Sequence, residues 1–411
     1  MKDQIFDLVV VGGGAAGFFG AINAAEQNPG MKILVLERTS KLLSKVRVSG
    51  GGRCNVTHHC FEPTPLSKHY PRGQKLLKQL FRTFQAKDTV AWFVERGVSL
   101  KTEDDGRIFP TSDNSETIIQ CFLQEAERLK IEIKTRAEVI GVKQLEQGFA
   151  LSTGTGDSFQ CKKLLIAVGG FNKEIAYDWL KTIGHTIKKP IPSLFTFNDS
   201  EKRFVDLMGL AVENAVVTIE RTAFVESGPV LLTHWGLSGP AVIKLSAWAA
   251  MHLHDMNYEF KVLVNWVGGL KEHELRIELE KYKALNLMKM IANHAVYNVP
   301  ARLWIRLCEL SEIEPKRIWA DMSKRQLNKL VENLTRSAFK IKGKTTFKEE
   351  FVICGGVAVD DVEAETMESK KVPGLYFAGE VLDIDGETGG FNFQSAWTTA
   401  FIASQHIAKS I

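Results

Sequence analysis

A chain of 411 residues is too long for one ordinary core, and its 45% hydrophobic and 24% charged content is that of a soluble globular enzyme, so two or three domains are expected. The formal net charge of +4 is small for this length, and no Lys/Arg-dense stretch alternates with aromatics, so nucleic acid is not an expected partner. The six cysteines (54, 60, 121, 161, 308 and 354) form no C-x-x-C pair, the pattern of reduced thiols in a cytoplasmic protein.

The first segment, "LVVVGGGAAGFFGAINAA", is apolar enough to mimic a signal peptide, but Asp3 and Asp7 spoil the positive flank such a peptide needs. "IFDLVVV" (5–11) predicts a strand buried on both faces. Gly12, Gly14 and Gly17 follow in G-x-G-x-x-G spacing, and "AAGFFGAINAAEQ" continues as a helix. "KILVLE" predicts a second strand ending at Glu37, twenty residues after Gly17. Strand, glycine turn, helix and acid at this spacing specify a dinucleotide site. Gly12 permits the tight turn, Gly14 lets backbone approach a pyrophosphate, and Gly17 lets helix pack on strand. The helix N-terminus supplies N–H donors for the phosphates. Glu37 is expected to accept from the ribose hydroxyls, which disfavours a 2′-phosphate and leaves FAD or NAD.

"VSGGGRCNVTHHC" (48–60) admits two readings. Three glycines suggest backbone shaped to lie against a flat or anionic ligand. Cys54, His58, His59 and Cys60 suggest a metal site. Four ligands from one strip, with no second pair at zinc spacing, make the metal reading weak, so no metal is expected. Cys54 has no neighbouring cysteine and reads as a packed thiol. Farther on, "KKLLIAVGG" (162–170) predicts a short buried strand ending in Gly169 and Gly170, and "FNKEIAYDWLKTIGHTI" predicts helix directly after it.

From about 191 the texture changes. "SLFTF", "AVENAVVTIE", "TAFVESGPVLLTH" and "YEFKVLVNW" predict short strands of an antiparallel sheet or barrel. "THWGLSGP" (233–240) predicts a rigid loop, in which His234 is a candidate for the substrate side of a pocket. From 271 to about 336 the pattern is helical, with Pro300 and Pro315 at helix starts. No run of eighteen apolar residues occurs; the best, "GPAVIKLSAWAAMHL", is broken by Lys244, so no membrane span is expected.

"PGLYFAGEVLDIDGETGGFNFQSAWTTAFIAS" (373–404) reads as a strand, an acid-bearing turn, a glycine pair and an amphipathic helix. Gly379-Glu380 resembles the element of glutathione-reductase-type flavoproteins that sets an acid on the ribityl chain. Gly389 and Gly390 lead into a helix whose N-terminus can face the flavin pyrimidine. NAD enzymes have no reason to bring the chain's last seventy residues back to the first turn, so FAD is favoured.

"VVVGGGAAG", "SGGGRCNVT", "LLTHWGLSGPAV", "CGGV" and "GLYFAGEVLDIDGETGGFNFQSA" together resemble the YhiN/BaiN-like family of FAD-dependent oxidoreductases, which includes aminoacetone oxidase-type enzymes. The resemblance implies an α/β chain: a discontinuous, Rossmann-type, glutathione-reductase-like FAD-binding domain (1–190 and 341–411) interrupted by a β-barrel-like insert (191–270) and a small helical part (271–340). It also implies a cofactor set of Gly12, Gly14, Ala15, Ala16, Gly17, Glu37, Arg38, Lys45, Gly51, Gly52, Arg53, Asn55, Val139, Ala167, Gly169, Gly379, Glu380, Gly390, Asn392 and Phe393, with "SGGGRCN" beside the pyrophosphate and flavin. The expected activity is hydride transfer between non-covalently held FAD and a small organic substrate. No second G-x-G-x-x-G occurs, so NAD(P)H would dock only transiently, and oxygen is an alternative redox partner. RNA modification and non-catalytic redox sensing are the competing functions.

Overall fold

The computed structural model describes residues 5–345 and 352–411. The chain divides into two compact units, Met1–Ser193 with Lys348–Ile411, and Leu194–Phe347. In the first, the apolar run forms β1 (Ile5–Val11), whose Leu8, Val9 and Val10 have no exposed surface. Helix α1 (Ala15–Gln27) crosses over to β2 (Ile33–Leu36), which runs parallel to β1. β3 (Glu132–Lys134) extends the parallel sheet beyond β2. An antiparallel meander, β4 (Val139–Gln144), β5 (Phe149–Thr153) and β6 (Ser158–Ile166), brings β6 alongside β1 in parallel register, with Val11 opposite Ile166. Helix α2 (Gln74–Leu80) follows a glycine at position 73 in left-handed geometry. The stretch after Gly170, expected to be helix at once, makes a 3-10 turn (Glu174–Tyr177) and a short α-helix (Asp178–Thr182). β7 (Ile187–Ser193) ends this segment.

The second unit is a closed six-stranded barrel. Its strands are β8 (Thr196–Asp199), β9 (Ala211–Ile219), β10 (Val225–Leu232), β11 (Gly236–Ser238), β12 (Glu259–Asn265) and β13 (Ser337–Thr345), in the order β8-β11-β10-β9-β12-β13. Alternation of buried and exposed positions along β9 and β13 fills the interior, and closure leaves no sheet edge. β13 has no counterpart among the sequence-predicted strands; it carries the barrel to Thr345, beyond the expected boundary at 340. Helices α3 (Glu272–Leu285), α4 (Ala301–Leu310) and α5 (Lys324–Arg336) pack their apolar faces into the same core. Pro300 caps α4 as expected, but Pro315 does not start a helix; α5 begins after Ser323, whose hydroxyl accepts from the Gln326 N–H in a capping box.

The returning chain forms β14 (Val352–Val357), antiparallel to β7, and β15 (Leu375–Phe377), parallel to the last three residues of β6. Helix α6 (Phe391–Lys409) then lies along α1. Between them Phe19 meets Trp397 at 5.2 Å and Trp92 at 4.7 Å between ring centroids. That aromatic cluster binds the two sequence-distant halves of the first unit into one core.

Candidate functional site

The glycine turn sits where the strand order reverses, at the C-terminal ends of β1 and β6. In open α/β sheets this crevice is the ligand position. The Ala167 N–H donates to the Val11 carbonyl at 2.8 Å and holds the strand ends together. A Cβ on Gly12 would collide with the Ala167 carbonyl, and one on Gly17 with the Gly12 carbonyl, so these two glycines serve the fold. Gly14 differs: its backbone is extended (φ −98°, ψ −167°) and nothing lies within 4 Å of a Cβ built there. It caps α1 with no side chain near its exposed face, and Ala15 and Ala16 begin the helix. Gly169, after β6, is equally open. This is a backbone cradle that fits a pyrophosphate.

Glu37 follows β2, as expected. Its Oε2 accepts from the Gly13 N–H at 2.9 Å, and its Oε1 from the Thr39 N–H and hydroxyl, both at 2.8 Å. A carboxylate offers about four acceptor sites, so one remains for a ribose hydroxyl. Arg38 lies 6.0 Å from the Phe171 ring centroid, and Val139 opens β4. Lys45 and Glu380 form an ion pair across 335 residues of sequence. That contact ties the segment after β2 to the 3-10 turn after β15, where the Gly379 N–H donates to the Thr399 hydroxyl at 2.9 Å.

"SGGGRCN" begins where a short helix, Ser44–Gly52, breaks: Ser49 is already non-helical, and Gly50, Gly51 and Gly52 take φ of +58°, +69° and +84°. Gly51 and Gly52 face open space. The polar residues beside them are engaged within the protein. Arg53 donates to Glu103 at 2.6 Å, lies 3.5 Å from Asp113, and stacks 4.0 Å above Phe109. Asn55 is buried; oriented by its neighbours, its amide donates to the Thr57 and Ile108 carbonyls (2.9 and 3.3 Å) and accepts from the Gly390 N–H (3.0 Å). Its side chain therefore fixes the start of α6. Asn392 closes the preceding loop, accepting from the Gly386 N–H at 2.9 Å, and Phe393 stacks on Trp397. Burial pushes the Cys54 thiol up to about 12, despite a hydrogen bond with Ser49, so it stays protonated at neutral pH.

Several groups here were not singled out from sequence. His69 stacks on Phe391 at 4.2 Å, as does His58, weighed above as a metal ligand, at 4.8 Å. His69 Nδ1 lies 3.0 Å from the Glu387 carboxylate. Arg72 pairs with the fully buried Asp385, which also accepts from the Ser193 hydroxyl at 2.7 Å. Burial raises Asp383 above the ordinary carboxylate range, against the Gly355 N–H that it accepts. These partners stand 28 to more than 300 residues apart, so no local motif announces them. Among the described residues, no three His, Cys, Asp or Glu side chains converge as metal ligands.

His234 belongs to the second unit, in the loop between β10 and β11. Its ring stands edge-on to Trp235 at 4.4 Å, and Trp235 Nε1 donates to the Thr196 hydroxyl at 3.0 Å. No described helix is long and apolar enough to cross a membrane.

Known proteins place this geometry. The family model described as the HI0933-like protein Rossmann domain matches residues 6–406. A ribosomal RNA dihydrouridine synthase of Escherichia coli (strain K12) is 30% identical, with 98% of this chain and 99% of that protein covered. A 3-dehydro-bile acid Δ(4,6)-reductase of Clostridium scindens is 26% identical over 97% and 98%. A 3-ketosteroid-Δ4-(5α)-dehydrogenase from Rhodococcus jostii RHA1 shares the fold, with a TM-score of 0.53 at 14% identity, covering 99% of this chain and 98% of that one. The chain belongs to the HI0933-like Rossmann family and is, by that membership, a FAD-dependent oxidoreductase.

Proposed function

We propose that this protein holds FAD non-covalently in the crevice of the first unit and reduces a polarised carbon–carbon double bond. Bound FAD, once reduced, supplies the hydride; the protein supplies position, exclusion of water and electrostatics. Gly14, Ala15 and Ala16 present backbone N–H groups to the pyrophosphate, on a turn that Gly12, whose own N–H donates to the Leu36 carbonyl at 2.8 Å, and Gly17 make possible. Glu37, with Arg38 and Val139 beside it, receives the adenosine ribose. Gly51, Gly52, Ala167 and Gly169 line the open backbone. Glu380, steadied by Lys45 and beside Gly379, takes the ribityl end, and Gly390 sets the α6 N-terminus, with Asn392 and Phe393 shaping its first turn. Arg53 and Asn55 act from behind by fixing Glu103 and Gly390. His234 is the candidate proton carrier in the inserted unit.

The single observation that carries this reading is the open face of Gly14 within a turn whose other glycines are closed, Gly12 and Gly17 by backbone carbonyls and Gly13 by the Leu42 and Glu37 side chains. The choice of reaction rests on the two relatives' names. Dihydrouridine is uridine with a double bond saturated, and a Δ(4,6)-reductase acts on a double bond of its substrate. Hydride delivery to a conjugated C=C is the chemistry they share. A uracil base in RNA and a small conjugated enone are therefore the two substrate classes, with transient NAD(P)H as the reductant. The test is anaerobic: NADH or NADPH should bleach the flavin, and an added conjugated enone or uridine-containing RNA should restore its colour with a saturated product. Bleached flavin that neither class reoxidises would reject the reaction.

A further inference from the structure

Between Glu62 and Asp88 the sequence holds no acid but six Lys or Arg residues. Arg72 is committed to Asp385. The other five, Lys68, Lys75, Lys78, Arg82 and Lys87, are all exposed. Ion pairs form at many other surface cations, yet none of these five makes one among the described residues. Lys75, Lys78 and Arg82 recur at three- and four-residue spacing along α2 and the turn that continues it, opposite the buried Leu77, Leu80, Phe81 and Phe84. The face they share spans about 10 Å at 1.5 Å per residue, the length of about three nucleotides at 3.4 Å each.

This face adjoins the segment leading into α6. At the start of α2 a Cβ on Gly73 would stand 2.6 Å from Ile384, and Arg72 bridges to Asp385. Lys68 immediately precedes His69, which stacks on Phe391. Unpaired cations adjoining the proposed flavin end favour a polyanion that must also present a group to that site.

We propose that Lys68, Lys75, Lys78, Arg82 and Lys87 form a docking surface for the phosphate backbone of RNA, which delivers a uracil base to the flavin site. The delivery clause rests on the uracil reading of the proposed function; the docking clause stands without it. RNA fits better than an anionic membrane because no exposed large apolar side chain lies between residues 63 and 88, and surface-bound membrane segments need such anchors. Exposed Gln74, Gln79 and Thr83 instead add hydrogen-bonding groups suited to phosphate and sugar.

The test uses the full FAD-loaded protein and a fluorescein-labelled, uridine-rich single-stranded RNA, with binding followed by anisotropy against salt. Each phosphate contact to a single strand contributes about 0.7 to the log–log salt slope. Lys75→Glu/Lys78→Glu/Arg82→Glu should lower that slope by about 2 and weaken binding at least tenfold at low salt, with the flavin spectrum unchanged. The matched control, Lys143→Glu/Lys281→Glu/Lys316→Glu, reverses three exposed lysines elsewhere and should bind nearly as wild type. Equal losses in the two variants would mean net charge alone acts, and overturn the surface. An unchanged slope in the first variant, or wild-type binding to phosphatidylserine vesicles but not to RNA, would also overturn it. RNA binding that behaves as expected, in a protein whose reduced flavin no enone or RNA reoxidises, would leave the docking surface standing and reject the proposed reaction.

Discussion

Gly14→Ala separates a glycine kept for a ligand from one kept for the fold. Gly14 sits in extended backbone that alanine adopts freely, and its Cβ would meet nothing within 4 Å. The protein without cofactor should therefore fold with stability changed by no more than about 1 kcal/mol, because alanine reduces the freedom of the unfolded chain but caps α1 less well than glycine. The new methyl group enters the space assigned to the pyrophosphate. Forcing a methyl into a filled space costs about 1–3 kcal/mol, so FAD should bind roughly five- to 150-fold more weakly. Gly17→Ala is the counterpart: its Cβ would overlap the Gly12 carbonyl, and the turn should fail with or without cofactor. Thermal melts of the apo proteins and FAD titration by flavin fluorescence quenching give the two readouts. A Gly14→Ala protein that binds FAD as tightly as wild type would refute the assignment of the crevice. One that fails to fold would show that Gly14 serves the turn after all.

Glu37→Ala should weaken FAD by at least tenfold, since the ribose bond to a carboxylate is worth about 1.5–3 kcal/mol; it also frees the Gly13 N–H, and an unchanged dissociation constant would make Glu37 purely a turn residue. Iodoacetamide at pH 8 should label Cys60 first among the six thiols, because Cys60 is only part-buried whereas burial holds Cys54, Cys121, Cys161, Cys308 and Cys354 near 12; early labelling of Cys54, mapped by mass spectrometry, would contradict its packing. Burial lowers the pKa of His185, whose Nε2 lies 2.8 Å from the Ser369 hydroxyl. The unfolded chain then binds the extra proton below about 6.5 while the folded one does not, so stability should fall as pH drops through that window, and His185→Gln should flatten the fall; identical slopes for wild type and variant would remove His185 from it.

Local pattern carried the nucleotide half of the site. The β1 turn, Glu37 after β2 and the glycine pair before α6 were each legible because a few adjacent residues specify each feature. The barrel strands β8, β9, β10 and β12 were legible by their alternation, whereas β13 was not. In "SAFKIKGKT" Phe339 and Ile341 do alternate with lysines, but two apolar positions among small and charged residues are too short a record to mark a strand until the barrel partners are known. The Asn55 contact was hidden for a related reason: its polarity is visible, but the Gly390 N–H that it accepts lies far along the chain. The basic face was present in plain sequence as an acid-free window. A whole-chain charge of +4 averaged it away, and only the fold separates Arg72, half-buried and paired with Asp385, from five cations left in solvent.

The measurement that bears most directly on the account is the identity and stoichiometry of the bound cofactor. Purified protein, saturated with flavin, desalted and then denatured, should release FAD into solution at one molecule per chain, with FMN neither retained nor able to compete. Protein that cannot be reconstituted with FAD, or that binds FMN equally well, would contradict a crevice built around the adenosine half of the dinucleotide.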